Sequence, residues 1–304
     1  MVELKNGKVK INSKRSALEI LLDISIVAML TVLFAFNEQT EGQNYAYYFT
    51  FFAVIGLTFL VNVLGRPTVS VKLPTIWYGI FIVLCALSSV WALYDPNLSL
   101  RYISRMVQVL LVCYCITLYI KTREDFDRFT ALFIAAVMIM IVSVFVRTPP
   151  SLWFFGFFGR IGYNNVTGNN INTLAYICVV AATISFCKAY YYKKRAYYLC
   201  TAFELLYIVL SSSRKALFVV AFLLFAMLMF YVNKRFYLLR LVLVITAVVG
   251  IGIAFLKVPA LYNAAGFRLE KMIDYVVNND VSADRSLALR KDCLLYTSDA
   301  ADDR

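Results

Sequence analysis

Long apolar runs separated by short polar clusters dominate the chain. A bilayer-spanning helix needs roughly 20 mostly apolar residues. Runs of about that length fall at residues 16–36, 45–64, 76–93, 103–120, 129–146, 171–187, 196–210, 216–232 and 236–255. The pattern predicts an all-α integral membrane protein with about nine transmembrane helices. The run at 196–210 is the weakest, being short and carrying Glu204. The first run is not a cleaved signal peptide, because its apolar stretch is long and no small-residue cleavage motif follows it. After residue 255 the pattern changes. Beyond Pro259 and Gly266, Leu269, Met272, Ile273 and Val276 share one helical face, with Arg268, Glu270, Lys271 and Asp274 opposite. Such a helix suits the membrane surface or the face of a neighbouring protein. The organisation expected is a polytopic domain over 1–255 and the start of an extracytoplasmic loop over 256–293, with 294–304 set apart.

The polar clusters orient the runs. The N-terminus carries Lys5, Lys8, Lys10, Lys14 and Arg15. Alternate loops carry Arg66 and Lys72; Lys121, Arg123 and Arg128; Lys188, Lys193, Lys194 and Arg195; and Lys234 and Arg235. The loops between are poorer in cations, holding Arg101, then Arg147 and Arg160, then Arg214 and Lys215. Basic loops stay in the cytoplasm, so the N-terminus is expected there and the segment after Lys257 outside. Keeping 196–210 as a span preserves the alternation.

Composition agrees: 62% of the 304 residues are hydrophobic and 16% charged, against roughly 45–50% and 25% in ordinary soluble domains. This excludes a soluble globular enzyme, a disordered chain and a secreted disulfide scaffold. The net charge of +12 does not point to nucleic acid, because the cations punctuate apolar runs instead of lining a soluble face. Histidine is absent, which removes imidazole ligands and bases from this stretch. Of the seven cysteines, six lie in apolar runs and none forms a CxxC pair. They are expected to be small buried hydrophobes, with no metal and no cofactor. No phosphate-binding glycine loop or sugar-nucleotide motif is present, so any donor arrives by another route, such as a lipid carrier.

Several residues could carry chemistry. Ser211-Ser212-Ser213-Arg214-Lys215-Ala216 lies between two runs, at an expected outer edge where a cation pair opposes the charge bias. An arginine fork suits phosphate or diphosphate oxygens; a snorkelling anchor is the alternative. Gly156 to Gly162, including Arg160, leads into Gly168-Asn169-Asn170-Ile171-Asn172-Thr173. Those amides could bond sugar hydroxyls or cap the entering helix. Arg101 and Arg105 share a helix face, as an anion clamp or as interfacial anchors. Glu19, Asp23 and Glu204 lie inside runs, where charge is costly and faces protein or water; Arg15 could pair with Glu19. Arg285 and Arg290, in Asp284-Arg285-Ser286-Leu287-Ala288-Leu289-Arg290, are ordinary solvated charges by their own pattern. The aromatic runs Trp153-Phe154-Phe155 and Tyr190-Tyr191-Tyr192 suit a membrane interface. Residues 294–304, Leu-Leu-Tyr-Thr-Ser-Asp-Ala-Ala-Asp-Asp-Arg, resemble the translation of a sequencing adapter. The expectation is that natural protein reaches only Asp292 or Cys293 here and that the gene continues.

The chain resembles the O-antigen ligase and O-antigen polymerase (Wzy-type) superfamily of bacterial envelope membrane proteins. The resemblance rests on three short motifs in the family's order: Ser213-Arg214-Lys215-Ala216 opening a run, the approach from Arg160 to Ala175 entering an earlier one, and Ser286-x-x-x-Arg290 early in the outer loop. It implies a GT-C-like helical fold and a metal-independent glycosyltransferase of the cytoplasmic (inner) membrane. The donor would be a glycan on undecaprenyl diphosphate, and the acceptor a sugar hydroxyl of a glycan or lipid at the outer face. It further implies that Arg214 and Arg290 act on the diphosphate, and that Arg160, Asn170, Asn172 and Ser213 bind substrate. Membrane lipids and other polysaccharide-assembly proteins are the expected partners, and nucleic acid is not. In ligases of this family an essential histidine follows later in the loop; this stretch has none. A transporter or flippase of a lipid-linked or small anionic solute is the competing reading. It would use Glu19, Asp23 and Glu204, and it predicts an internal repeat that the sequence does not display. A purely structural subunit would leave Arg214 and Asp23 unexplained.

Overall fold

The computed structural model describes residues 16–35, 45–64, 73–89, 91, 96–149, 171–211 and 213–231, with scattered positions between 242 and 274. Among the described residues the regular elements are helices: α1 (Ala17–Ala35), α2 (Tyr45–Leu64), α3 (Leu73–Ser89), α4 (Pro96–Tyr119), α5 (Arg123–Arg147), α6 (Ile171–Tyr192), α7 (Arg195–Leu210) and α8 (Arg214–Tyr231). Five carry a stretch long and apolar enough to cross a membrane: α1, α2, α5, the part of α4 from Ser99 to Tyr119 and the part of α6 from Asn172 to Tyr192. Helix α3 is apolar but has 17 residues, and α7 has 16, at or below the usual spanning minimum of roughly 17. The expected run at 236–255 falls mostly outside the described residues.

Local chemistry sets the helix ends where apolarity alone does not. Helix α4 begins well before the apolar run, at Pro96, because proline's fixed φ suits the first helical position and its missing N–H costs nothing there. Helix α5 begins at Arg123 because Thr122 and Asp125 cap it reciprocally. The Asp125 N–H donates to Thr122 Oγ1 at 3.2 Å and the Thr122 N–H to Asp125 Oδ2 at 3.0 Å, a capping box. Ser16 and Glu19 repeat the arrangement at α1, with both bonds 3.3 Å long. Glu19 is thereby accounted for as a cap. Thr122→Ala should cost about 1 kcal/mol, read as a lower unfolding midpoint of the detergent-purified protein.

Inside the helices, hydroxyls bond backward to the backbone. Thr50, Thr117, Thr130 and Thr183 each donate to the carbonyl four residues earlier, at 2.9, 2.5, 3.0 and 2.8 Å, so a polar side chain is tolerated in an apolar helix.

The described chain divides into two compact units. The first comprises Met1–Leu33 and Gln43–Ala136. In it, α2 and α3 pack on α4, and Leu22, Ile26, Met29, Phe51, Val54 and Cys115 are buried. Burial does not follow polarity: on α1, Leu22 is 2% exposed and Ile24 59%, and both are apolar. Two long-range polar bonds add direction. The Tyr119 phenol donates to Asp23 Oδ1 at 2.5 Å, and the Lys121 ammonium to Asn62 Oδ1 at 2.7 Å.

The second unit comprises Phe34–Gly42 and Val137–Arg304. Its centre is the α6–α7 hairpin, with α8 packed on both helices. Helix α6 presents Ala175, Cys178, Ala182, Ser185 and Ala189 at alternating spacings of three and four, all buried. Small residues on one face let helix backbones approach closely. Two residues close the hairpin: Lys193, in the left-handed region at φ 52°, and Lys194, extended at φ −91°, ψ 117°. Beside this turn the Lys188 ammonium lies 5.9 Å from the Tyr192 ring centre and 5.8 Å from that of Tyr197, a cation–π distance.

Candidate functional site

Two of the residues singled out by sequence, Asn172 and Ser213, meet where α7 ends and α6 and α8 begin. Helix α7 stops at Ser211, whose N–H donates to the Tyr207 carbonyl at 2.8 Å and whose Oγ donates to the Ile208 carbonyl at 2.7 Å. The chain turns, and the Ser213 N–H donates back to Ser211 Oγ at 3.3 Å. Ser213 occupies the N-cap of α8, since its carbonyl accepts from the Leu217 N–H at 3.0 Å. A serine there usually turns its hydroxyl onto the new helix. Here the Ser213 hydroxyl donates across to Asn172 Oδ1 at 2.9 Å. Asn172 stands in the first turn of α6, so one side-chain bond joins the N-terminal ends of two helices.

The join is well enclosed. Ser211 is 2% exposed and Ser213 1%, with Leu174, Ala175 and Ala216 buried around them and Asn172 half-buried. Each helix N-terminus carries unsatisfied N–H groups and a partial positive charge of roughly half a unit. Bringing two together makes a place that favours an anion. Arg214 is the first residue of α8 and Lys215, exposed, the second, which adds formal positive charge to the same end.

The other site expectations divide. Asn172 and Ser213 are brought into contact, and Arg214 is placed at the head of α8. Arg160, Asn170 and Arg290 lie outside the described residues. Arg101 and Arg105 share an exposed face of α4. In the segment after residue 256, Glu270, Lys271 and Asp274 are helical. The Tyr262 phenol donates to Glu270 Oε2 at 2.5 Å, and this bond is the main reason its pKa is raised above the ordinary phenol value. Among the described cysteines, Cys115 and Cys178 are buried, but Cys113 is exposed. This corrects the expectation of uniform burial. Two residues apart on a helix means roughly opposite faces, so Cys113 and Cys115 cannot share one environment. Among the described residues no three His, Cys, Asp or Glu side chains gather as a metal site.

Sequence reasoning missed the bond partners. Asp23 was visible as a costly charge, but Tyr119 gave no sign of being its donor. For Ser185 the one signal in the sequence is its place in the small-residue stripe of α6, which marks it as facing protein. A cavity of about 20 Å³ beside Thr183 and Thr201 is the size of a water, but both hydroxyls are spent on backbone carbonyls.

No family model, no curated protein and no solved structure matches the chain.

Proposed function

We propose that the protein is an integral membrane glycosyltransferase of the O-antigen ligase and polymerase kind, with a nine-span, GT-C-like bundle. It acts at the outer face of the bacterial cytoplasmic membrane, with its N-terminus in the cytoplasm. The observation that carries this reading is the Ser213–Asn172 hydrogen bond. It unites two of the three segments on which the sequence resemblance rests, and it does so at two converging helix N-termini suited to a diphosphate.

In the proposed reaction an acceptor hydroxyl oxygen attacks the anomeric carbon of the lipid-linked glycan. The bond from that carbon to the diphosphate oxygen breaks, undecaprenyl diphosphate departs with the electron pair, and the hydroxyl proton passes to a base. Arg214 and the ends of α6 and α8 stabilise the departing charge, with Arg290 as a second cation. Arg160, Asn170 and Asn172 hold the glycan, and Ser213 fixes Asn172. The donor, its acceptor and membrane lipids are the partners, together with the proteins that assemble the polysaccharide.

The test is glycan transfer per unit of membrane protein in Asn172→Ala, Ser213→Ala and the double variant. Each single change should lower transfer about tenfold, equal to ~1.4 kcal/mol. The double should be little worse than either single, because one bond serves both residues. Parent-level transfer in all three would remove this bond from the mechanism. Normal polymer chemistry with donor trapped on the cytoplasmic side would favour the flippase reading instead.

A further inference from the structure

Glu204 stands mid-way along α7 and has no exposed surface. Its Oε1 accepts a hydrogen bond from Ser185 Oγ at 3.3 Å, and its Oε2 is buried with no hydrogen-bond partner among the described residues. It belongs to a stripe: Thr201, Glu204, Tyr207 and Ser211 follow one another at three, three and four residues and are all buried. Residues so spaced share a helix face. Thr201 and Ser211 are satisfied by backbone carbonyls, but an ionisable group on such a face is costly in an apolar bundle. A bare carboxylate taken from water costs several kcal/mol unless a cation meets it.

The described groups around it supply none. From α6 the titratable neighbour is Cys178, fully buried, and the Lys188 ammonium is placed over the Tyr192 and Tyr197 rings. From α7 they are Cys200 and Tyr207. Among the described side chains of α8, the only charged one is Lys215, exposed at its first turn. A proton on the carboxyl removes the charge and leaves an acid that pairs with the Ser185 hydroxyl through Oε1.

We propose that Glu204 and Ser185 form a buried proton site between α6 and α7, where Glu204 carries and exchanges one proton. The site is distinct from the Ser213–Asn172 join and does not depend on glycosyl transfer.

Two measurements on the whole protein in lipid nanodiscs test it. Infrared difference spectra between the parent and Glu204→Gln should show, at neutral pH, loss of one carboxylic-acid carbonyl band that shifts in D2O. A difference confined to carboxylate bands, or an acid band insensitive to D2O, would overturn the proposal. The second uses the unmodified parent and a lipophilic dialkylcarbodiimide. The acid O–H adds across one C=N bond, oxygen to carbon and proton to nitrogen, and the acyl group then migrates to nitrogen to give a stable N-acylurea. Peptide mass mapping should place the adduct on Glu204, with a water-soluble carbodiimide leaving it unmodified. Equal modification by both reagents would show a water-accessible carboxylate and sink the idea. So would no adduct at Glu204 under conditions that label a buried control acid.

Discussion

Replacing Arg214 by alanine is expected to lower glycan transfer by roughly 10²–10³ while the protein still inserts and accumulates, the usual consequence of losing a stabiliser of transition-state charge. The expectation follows from its position as the first residue of α8, at the helix end joined to α6 through Ser213 and Asn172. Arg214→Lys should recover part of the loss. Lysine keeps the charge, but it presents a point ammonium where arginine presents a planar fork that can bind two phosphate oxygens. A residue that merely anchors the helix at the membrane surface would behave differently, since lysine snorkels as well as arginine. Transfer assayed against quantified membrane protein separates the two. Full activity in Arg214→Lys would leave only anchoring, and near-parent activity in Arg214→Ala would exclude Arg214 from the chemistry.

The second large effect is expected at the α6–α7 contact. Ala189 is fully buried at the end of the stripe that includes Ala175, Cys178, Ala182 and Ser185. Ala189→Leu should destabilise the protein by about 1–3 kcal/mol, because added methylenes in a close-packed interface force backbones and rotamers apart. The matched control is Val180→Leu on the same helix, where Val180 is 51% exposed and the change should stay within about 0.5 kcal/mol. Thermal unfolding of both variants in one detergent gives the comparison. Equal midpoints would mean that the stripe is not a packing seam.

The sequence pattern located the helices well because hydrophobic length is a direct signature of a span. The run at 45–64 coincides with α2 (Tyr45–Leu64). It erred at ends ruled by caps, as at Pro96 and at Thr122 with Asp125, which lie outside the apolar runs. Faces and neighbours were far less legible. In a soluble helix the polar side faces water, whereas in lipid both sides are apolar and only residue size separates them. Ile24 and Leu22 illustrate the point. The Ala175 to Ala189 stripe was readable in principle by size; the Asp23–Tyr119 pairing, 96 residues apart, was not. The candidate site was legible as two segments, and nothing in either segment said that Ser213 would spend its hydroxyl on Asn172.

The two-residue closure of the α6–α7 hairpin bears on biogenesis. Helix α7 is short and carries a carboxyl at its middle, and an acidic residue there opposes partition from the translocon by about 2.5–3.5 kcal/mol. Lys193 and Lys194 leave no slack for α6 to enter the lipid and wait. The pair is therefore expected to leave the insertion machinery as one preassembled hairpin, with Ser185 already against Glu204. Lengthening that turn with a flexible insert would let α6 depart alone and strand α7 at the exit.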